Sequence, residues 1–129
     1  MSREKPCIVI ADDEIHILRI LELKFASNGF NVIKAMTGQQ AWEAIVSQNP
    51  DIVITDYQMP ELTGLDIAEK MYVDDKLRNI PVILLTARGF SLTDEDLIGT
   101  NIIELITKPF SPREILAIVR KVMETKILS

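Results

Sequence analysis

Cys7-Ile8-Val9-Ile10-Ala11-Asp12-Asp13 is five apolar residues stopped at once by two acidic ones. An uninterrupted apolar run of that length, rich in branched side chains, fits a strand buried on both faces of a parallel sheet. It is too short for a signal-peptide core or a membrane span. Ile52-Val53-Ile54 and Val82-Ile83-Leu84-Leu85 repeat the pattern, each running straight into polar or turn residues. Two further candidates are mixed. Asn31-Val32-Ile33-Lys34-Ala35 carries a lysine, and Ile102-Ile103-Glu104-Leu105-Ile106 carries a glutamate, so both read as edge strands.

Helical spacing fills the intervals. Glu14 to Ser27 offers Ile17, Leu18, Leu21 and Phe25 on one face and stops at Asn28-Gly29. Thr37 to Gln48 holds Ala41, Ala44 and Ile45 and ends before Pro50; Thr63 to Val73 holds Leu65, Ile67, Ala68 and Met71. Ser111-Pro112-Arg113-Glu114 opens the last helix as a capping box with proline at its first position. That helix buries Ile115, Ile118, Val119 and Val122 and runs to about Lys126. Between Phe90 and Gly99 a good start signal, Thr93-Asp94-Glu95-Asp96, is followed only by Leu97 and Ile98, which predicts a short or irregular helix.

Strand and helix thus alternate five times, which predicts a doubly wound α/β fold with helices on both faces of a five-stranded parallel sheet. The mixed strands are the second and fifth. They are the edges in the flavodoxin-like order 2-1-3-4-5, so strand composition selects that order over the Rossmann one. The sequence predicts one domain over 1–129, with a core from about 6 to 126. No repeat, linker or remaining segment points to a second, effector domain.

Composition narrows the function. The chain has 129 residues, 47% hydrophobic and 26% charged, as expected of a globular domain. A single cysteine, Cys7, excludes an internal disulfide and a multi-cysteine metal cluster. A net charge of -5 is the wrong sign for direct nucleic-acid binding, and 5% aromatics make a poor base-stacking platform. These features predict a cytoplasmic protein with no membrane insertion.

Ligands of open α/β sheets bind at the carboxyl ends of the strands, near the reversal of strand order. Those ends carry Asp12 and Asp13, then Asp56, Thr86 and Lys108-Pro109. Taken alone, Asp12-Asp13-Glu14 reads as an N-cap with acidic first-turn residues, Lys108 as a snorkelling strand end, and Thr86 as an ordinary strand residue. Together, at matching strand ends, they read as one site. Neighbouring carboxylates about 4 Å apart repel by about 1 kcal/mol in water and about 4 kcal/mol at an effective dielectric of about 20. A divalent cation relieves this, and an all-oxygen set without histidine or thiolate suits Mg²⁺. Lys108 offers a point charge for a phosphate oxygen and Thr86 a hydroxyl donor. These parts suit phosphoryl transfer, with Asp56 on the central strand as nucleophile. Gln58 and Arg88, two places after Asp56 and Thr86, are expected to rim the site and set the lifetime of an acyl phosphate. His16 reads as a surface residue, Cys7 as a buried thiol, Trp42 as partial packing, and Met59-Pro60 as support for the loop beneath the site.

Asp12-Asp13-Glu14, Asp56-Tyr57-Gln58-Met59-Pro60 with Gly64, Leu85-Thr86-Ala87 and Thr107-Lys108-Pro109-Phe110 resemble, in order, the four signatures of response-regulator receiver domains. The resemblance covers about Pro6 to Lys126. It implies a phosphoryl-accepting switch of a two-component phosphorelay. Asp56 would accept the phosphoryl group from a histidine kinase or a histidine phosphotransfer protein. Asp13, Asp56 and the backbone carbonyl of Gln58 would ligate Mg²⁺, with Asp12 acting through water. Lys108 would pair with the phosphoryl group and its bond to Pro109 would be cis, while Thr86 would shift toward the new phosphate, remodelling the face of helix four, strand five and helix five for an unknown downstream protein. The resemblance also implies self-catalysed phosphorylation and dephosphorylation rather than turnover of a metabolite, in a monomer or weak homodimer.

Two positions depart from the pattern. Leu105 stands where such domains usually carry Tyr or Phe, and Asn101 where glycine is common. A second reading, a receiver-like interaction module that is not phosphorylated, fits Leu105 and the odd fourth helix, whereas the intact acidic site opposes it. A Mg²⁺-dependent hydrolase with an Asp nucleophile commonly needs an acid/base carboxylate two residues on, where this chain has Gln58.

Overall fold

The computed structural model describes residues 5–87 and 92–128. Five strands alternate with five helices: β1 (Cys7–Ala11), α1 (Ile15–Ala26), β2 (Asn31–Ala35), α2 (Gly38–Gln48), β3 (Ile52–Asp56), α3 (Gly64–Tyr72), β4 (Val82–Thr86), α4 (Asp94–Leu97), β5 (Ile102–Thr107) and α5 (Pro112–Leu128). The sheet is parallel throughout and ordered β2-β1-β3-β4-β5. This is the flavodoxin-like arrangement, with the mixed strands at the edges.

Strand composition follows sheet position. Every residue of β1, β3 and β4 is buried, whereas Lys34 of β2 and Glu104 of β5 are exposed. A central strand is covered by helices on both faces, so its side chains must be apolar in both directions. The period of two divides the core into layers. Ile8, Ile10, Ile52, Ile54, Ile83 and Leu85 pack with Leu18, Leu21 and Phe25 of α1 and with Ile115 and Val119 of α5. Val9, Ala11, Val53 and Val82 pack with Ala41 and Ile45 of α2 and with Ile67 and Met71 of α3.

Several residues expected in the core are only half-buried: Ile17, Ala44, Leu65, Ile118 and Val122. They flank the inward stripe of a helix that has solvent on its other side. At the start of α5, Glu114 N–H donates to Ser111 Oγ over a long 3.4 Å. Complete capping boxes occur instead at Thr63/Asp66 and Thr93/Asp96, with aspartate in the glutamate position. The helix expected between Phe90 and Gly99 is a single turn, Asp94–Leu97, with no buried residue; Phe90 and Arg88 lie outside the described residues. Too few apolar residues follow its cap to anchor a second turn.

Candidate functional site

Because all five strands run the same way, their carboxyl ends share one edge. β3 and β4 end on Asp56 and Thr86 themselves, while β1 and β5 stop one residue short of Asp12 and Lys108. Backbone bonds tie these ends together. Asp12 N–H donates to Ala35 O (3.1 Å), Tyr57 N–H to Leu85 O (2.8 Å), and Lys108 N–H to Thr86 O (2.8 Å). The Lys108-Pro109 bond is cis.

Asp12 is fully buried, Asp56 is 7% exposed and Asp13 is exposed. One carboxylate oxygen from each lies within 4.8 Å of the other two, a grouping that could hold a metal ion. Lys108 Nζ reaches into it, 3.0 Å from Asp12 Oδ2 and 3.3 Å from Asp56 Oδ2. Asp12 uses Oδ1 to accept from Glu14 N–H at 2.9 Å. Its Oδ2 is buried, with the Lys108 ammonium 3.0 Å away as an ion-pair partner. A buried carboxylate oxygen with unused lone pairs, beside two more carboxylates and no sulfur or imidazole ligand, fits a hard divalent cation such as Mg²⁺.

The electrostatics follow from burial and crowding. Asp56 is pushed up from 3.8 to about 6, first by burial and then by the Asp12 charge, against the opposing pull of Lys108. Burial likewise raises Asp12, outweighing the Glu14 N–H and Lys108. Burial alone would lower Lys108, but the Asp12 and Asp56 carboxylates carry it above its ordinary value. The lysine is therefore held charged among acids that resist ionisation.

A cavity of about 280 Å³ opens onto this cluster, walled by Asp13, Asp56, Gln58 and Lys108 together with Glu14, Tyr57 and Ala87. Thr86 is 3% exposed and joins the site through its carbonyl, whereas the next residue, Ala87, forms the wall. Met59 is buried with its sulfur 4.0 Å from Thr55 Oγ1, so it supports the loop below the site. Glu14, read from the sequence only as part of a helix start, brings its Oε2 to 3.7 Å from Lys108 Nζ. Its position directly after Asp12-Asp13 was the available signal, but side-chain reach is not visible in spacing. His16 and Cys7 take the expected places, at the surface and in the core.

The model of the response regulator receiver domain family matches residues 8–120. The chain belongs to that family. Receiver domains are parts of two-component systems, and curated relatives of this one carry the domain within longer chains. The phosphate regulon transcriptional regulatory protein PhoB of Pseudomonas aeruginosa is 33% identical over 116 residues, covering 90% of this chain and 51% of the relative. The transcriptional regulatory protein SrrA of Staphylococcus aureus is 31% identical over 131 residues, covering 98% and 52%. The chain thus spans about half the length of the curated relatives it matches. The Francisella response regulator 1452 receiver domain superposes with a TM-score of 0.83 at 27% identity, covering 95% of this chain and 99% of that one. The signal receiver domain of an HD domain-containing protein from Pseudomonas fluorescens has a TM-score of 0.85 at 21% identity, covering 97% and 99%, which bears on the fold alone. Among the described residues of this receiver domain, no helix is long and apolar enough to cross a membrane.

Proposed function

We propose that the domain is a cytoplasmic phosphoryl-accepting switch of a two-component phosphorelay, with Asp56 as the acceptor. The observation that most supports this reading is the meeting of Asp12, Asp13 and Asp56 around Lys108 Nζ at one end of the sheet. An oxygen of Asp56 attacks the phosphorus of a phosphohistidine on a histidine kinase or histidine phosphotransfer protein. The phosphorus–nitrogen bond breaks, the imidazole leaves with a proton, and an acyl phosphate forms on Asp56. The attacking group must be ionised, and a carboxyl at about 6 is ionised at neutral pH.

Lys108 Nζ then shifts its attraction from the Asp56 oxygen it neighbours to a phosphoryl oxygen, and the Thr86 hydroxyl donates to another. Asp13, Asp56 and the Gln58 carbonyl would hold Mg²⁺, with Asp12 in support. When bound, the ion offsets the charge of the carboxylates and of the phosphoryl oxygens. Gln58 at the cavity wall governs access of the hydrolysing water. The domain promotes its own phosphorylation and dephosphorylation, and the altered charge biases the face of α4, β5 and α5 read by a downstream protein.

Intact-mass spectrometry after incubation with Mg²⁺ and acetyl phosphate or phosphoramidate tests the reading. One phosphoryl adduct is expected in the wild type and none in Asp56→Ala or with a chelator. The single-turn α4 and Leu105, which is half-buried opposite Leu84, favour a second reading as an interaction module that is not phosphorylated. Absence of both adduct and Mg²⁺ binding would select it.

A further inference from the structure

A second, more apolar cavity of about 480 Å³ lies between α1 and the loop from β5 to α5, bordered by Ile17, Ile20, Phe110 and Pro112. It and the acidic cavity share three wall residues: Glu14, Ala87 and Lys108. Glu14 is the ionisable one of the three with an open side chain, 48% exposed against 18% for Lys108. Its Oε2 lies 3.7 Å from Lys108 Nζ on one side and 3.8 Å from His16 Nε2 on the other. The negative charge of Glu14 therefore stands at the rim common to both cavities, outside the buried pair Asp12 and Asp56.

We infer that Glu14 is a specificity-determining residue that selects phosphoryl donors by charge, disfavouring those that bring more negative charge to Asp56. The inference rests on the phosphoacceptor reading above. Four carboxylates, Asp12, Asp13, Glu14 and Asp56, face one lysine, so even beside a divalent cation the set keeps one negative charge in excess. Removing the Glu14 charge cancels that excess without touching the nucleophile. In the reaction itself an Asp56 oxygen–phosphorus bond forms. The phosphorus–oxygen bond of acetyl phosphate breaks to release acetate, or the phosphorus–nitrogen bond of phosphoramidate breaks to release ammonia. At neutral pH acetyl phosphate carries about two negative charges and phosphoramidate about one. At a separation of about 7 Å and an effective dielectric of about 60, one unit of donor charge against Glu14 alters the rate about fourfold.

The test compares the second-order phosphorylation rates of the two donors, by intact mass, in the wild-type domain, Glu14→Gln and Glu14→Lys at fixed Mg²⁺. The readout is the ratio of the two rates, which cancels any loss of folded protein, of Mg²⁺ or of Lys108 positioning common to both donors. Glu14→Gln is expected to move the ratio about fourfold toward acetyl phosphate, and Glu14→Lys further, with the effect shrinking at about 1 M salt. Equal changes for both donors would overturn the inference and leave Glu14 as a partner of Lys108 alone. A wild-type domain that accepts phosphoryl from neither donor would overturn this inference, and one that in addition binds no Mg²⁺ would overturn the reading beneath it.

Discussion

Lys108 Nζ stands 3.3 Å from Asp56 Oδ2, although 52 residues separate the two along the chain. The approach is fixed by the sheet, in which Lys108 N–H bonds to the last residue of β4 and β4 pairs with β3. Lys108 is the positive charge within ion-pair distance of Asp12 and Asp56 among the described residues. Replacing it with methionine keeps the buried stem and removes the charge. Phosphorylation of Asp56 by acetyl phosphate should slow by about 100-fold or more, as when a preorganised donor is lost from a developing oxyanion. Time courses by intact mass read this directly.

Asp56 also sets a pH dependence of stability. Its value is about 6 in the folded domain against 3.8 ordinarily, so between those limits the folded state binds more protons than the unfolded one. Stability of the metal-free domain therefore falls as pH rises through that window, and Asp12, raised for the same reason, adds to the trend. The cost at pH 7 is about 3 kcal/mol from Asp56. Asp56→Asn should make the domain more stable at pH 7 and flatten the profile between pH 4 and 6. Urea titrations in chelator check both expectations.

A divalent cation should reverse that cost. Mg²⁺ at 100 times its dissociation constant stabilises by about 2.7 kcal/mol if it binds the folded state alone. Asp13→Ala should abolish the gain, yet in chelator leave stability within about 0.5 kcal/mol, because Asp13 is exposed. Thermal melts with and without Mg²⁺ separate the two effects.

Gly64 places α3 against the site. A Cβ there would meet Asp56 O at 2.6 Å and Leu84 Cδ1 at 2.5 Å, and its N–H donates to Tyr57 O at 2.8 Å. Gly64→Ala should cost about 1–3 kcal/mol and weaken Mg²⁺ binding, since relief of the clash displaces the backbone of Asp56. Gly29→Ala is the contrast. Gly29 has φ +91° with open space around it, so alanine there costs about 1–2 kcal/mol of backbone strain and leaves Mg²⁺ affinity unchanged. Denaturation and Mg²⁺ titration of both variants provide the comparison.

Much of this was legible in the sequence because it rests on alternation and on strand ends. Lys34 and Glu104 marked the edge strands, since a charge cannot sit where helices cover both faces. Asp12, Asp13, Asp56 and Lys108 could be placed together because parallel strands share one carboxyl edge. What escaped depends on side-chain reach and packing angle. The contact of Glu14 with Lys108 needs the rotamers of both. The wall formed by Ala87 in place of Thr86 depends on how the chain leaves β4. The half-burial of Ile17 and Ile118 depends on how far each helix rolls over the sheet.

The most direct test of the central claim is the position of the phosphoryl group. Borohydride reduces an acyl phosphate to an alcohol, so trapping after phosphorylation with Mg²⁺ and acetyl phosphate, followed by peptide sequencing, marks the acceptor as homoserine. Homoserine is expected at position 56, with unchanged aspartate at Asp12 and Asp13. Homoserine at either of those positions, or at none in a domain that binds Mg²⁺ and carries a phosphoryl adduct, would contradict the claim.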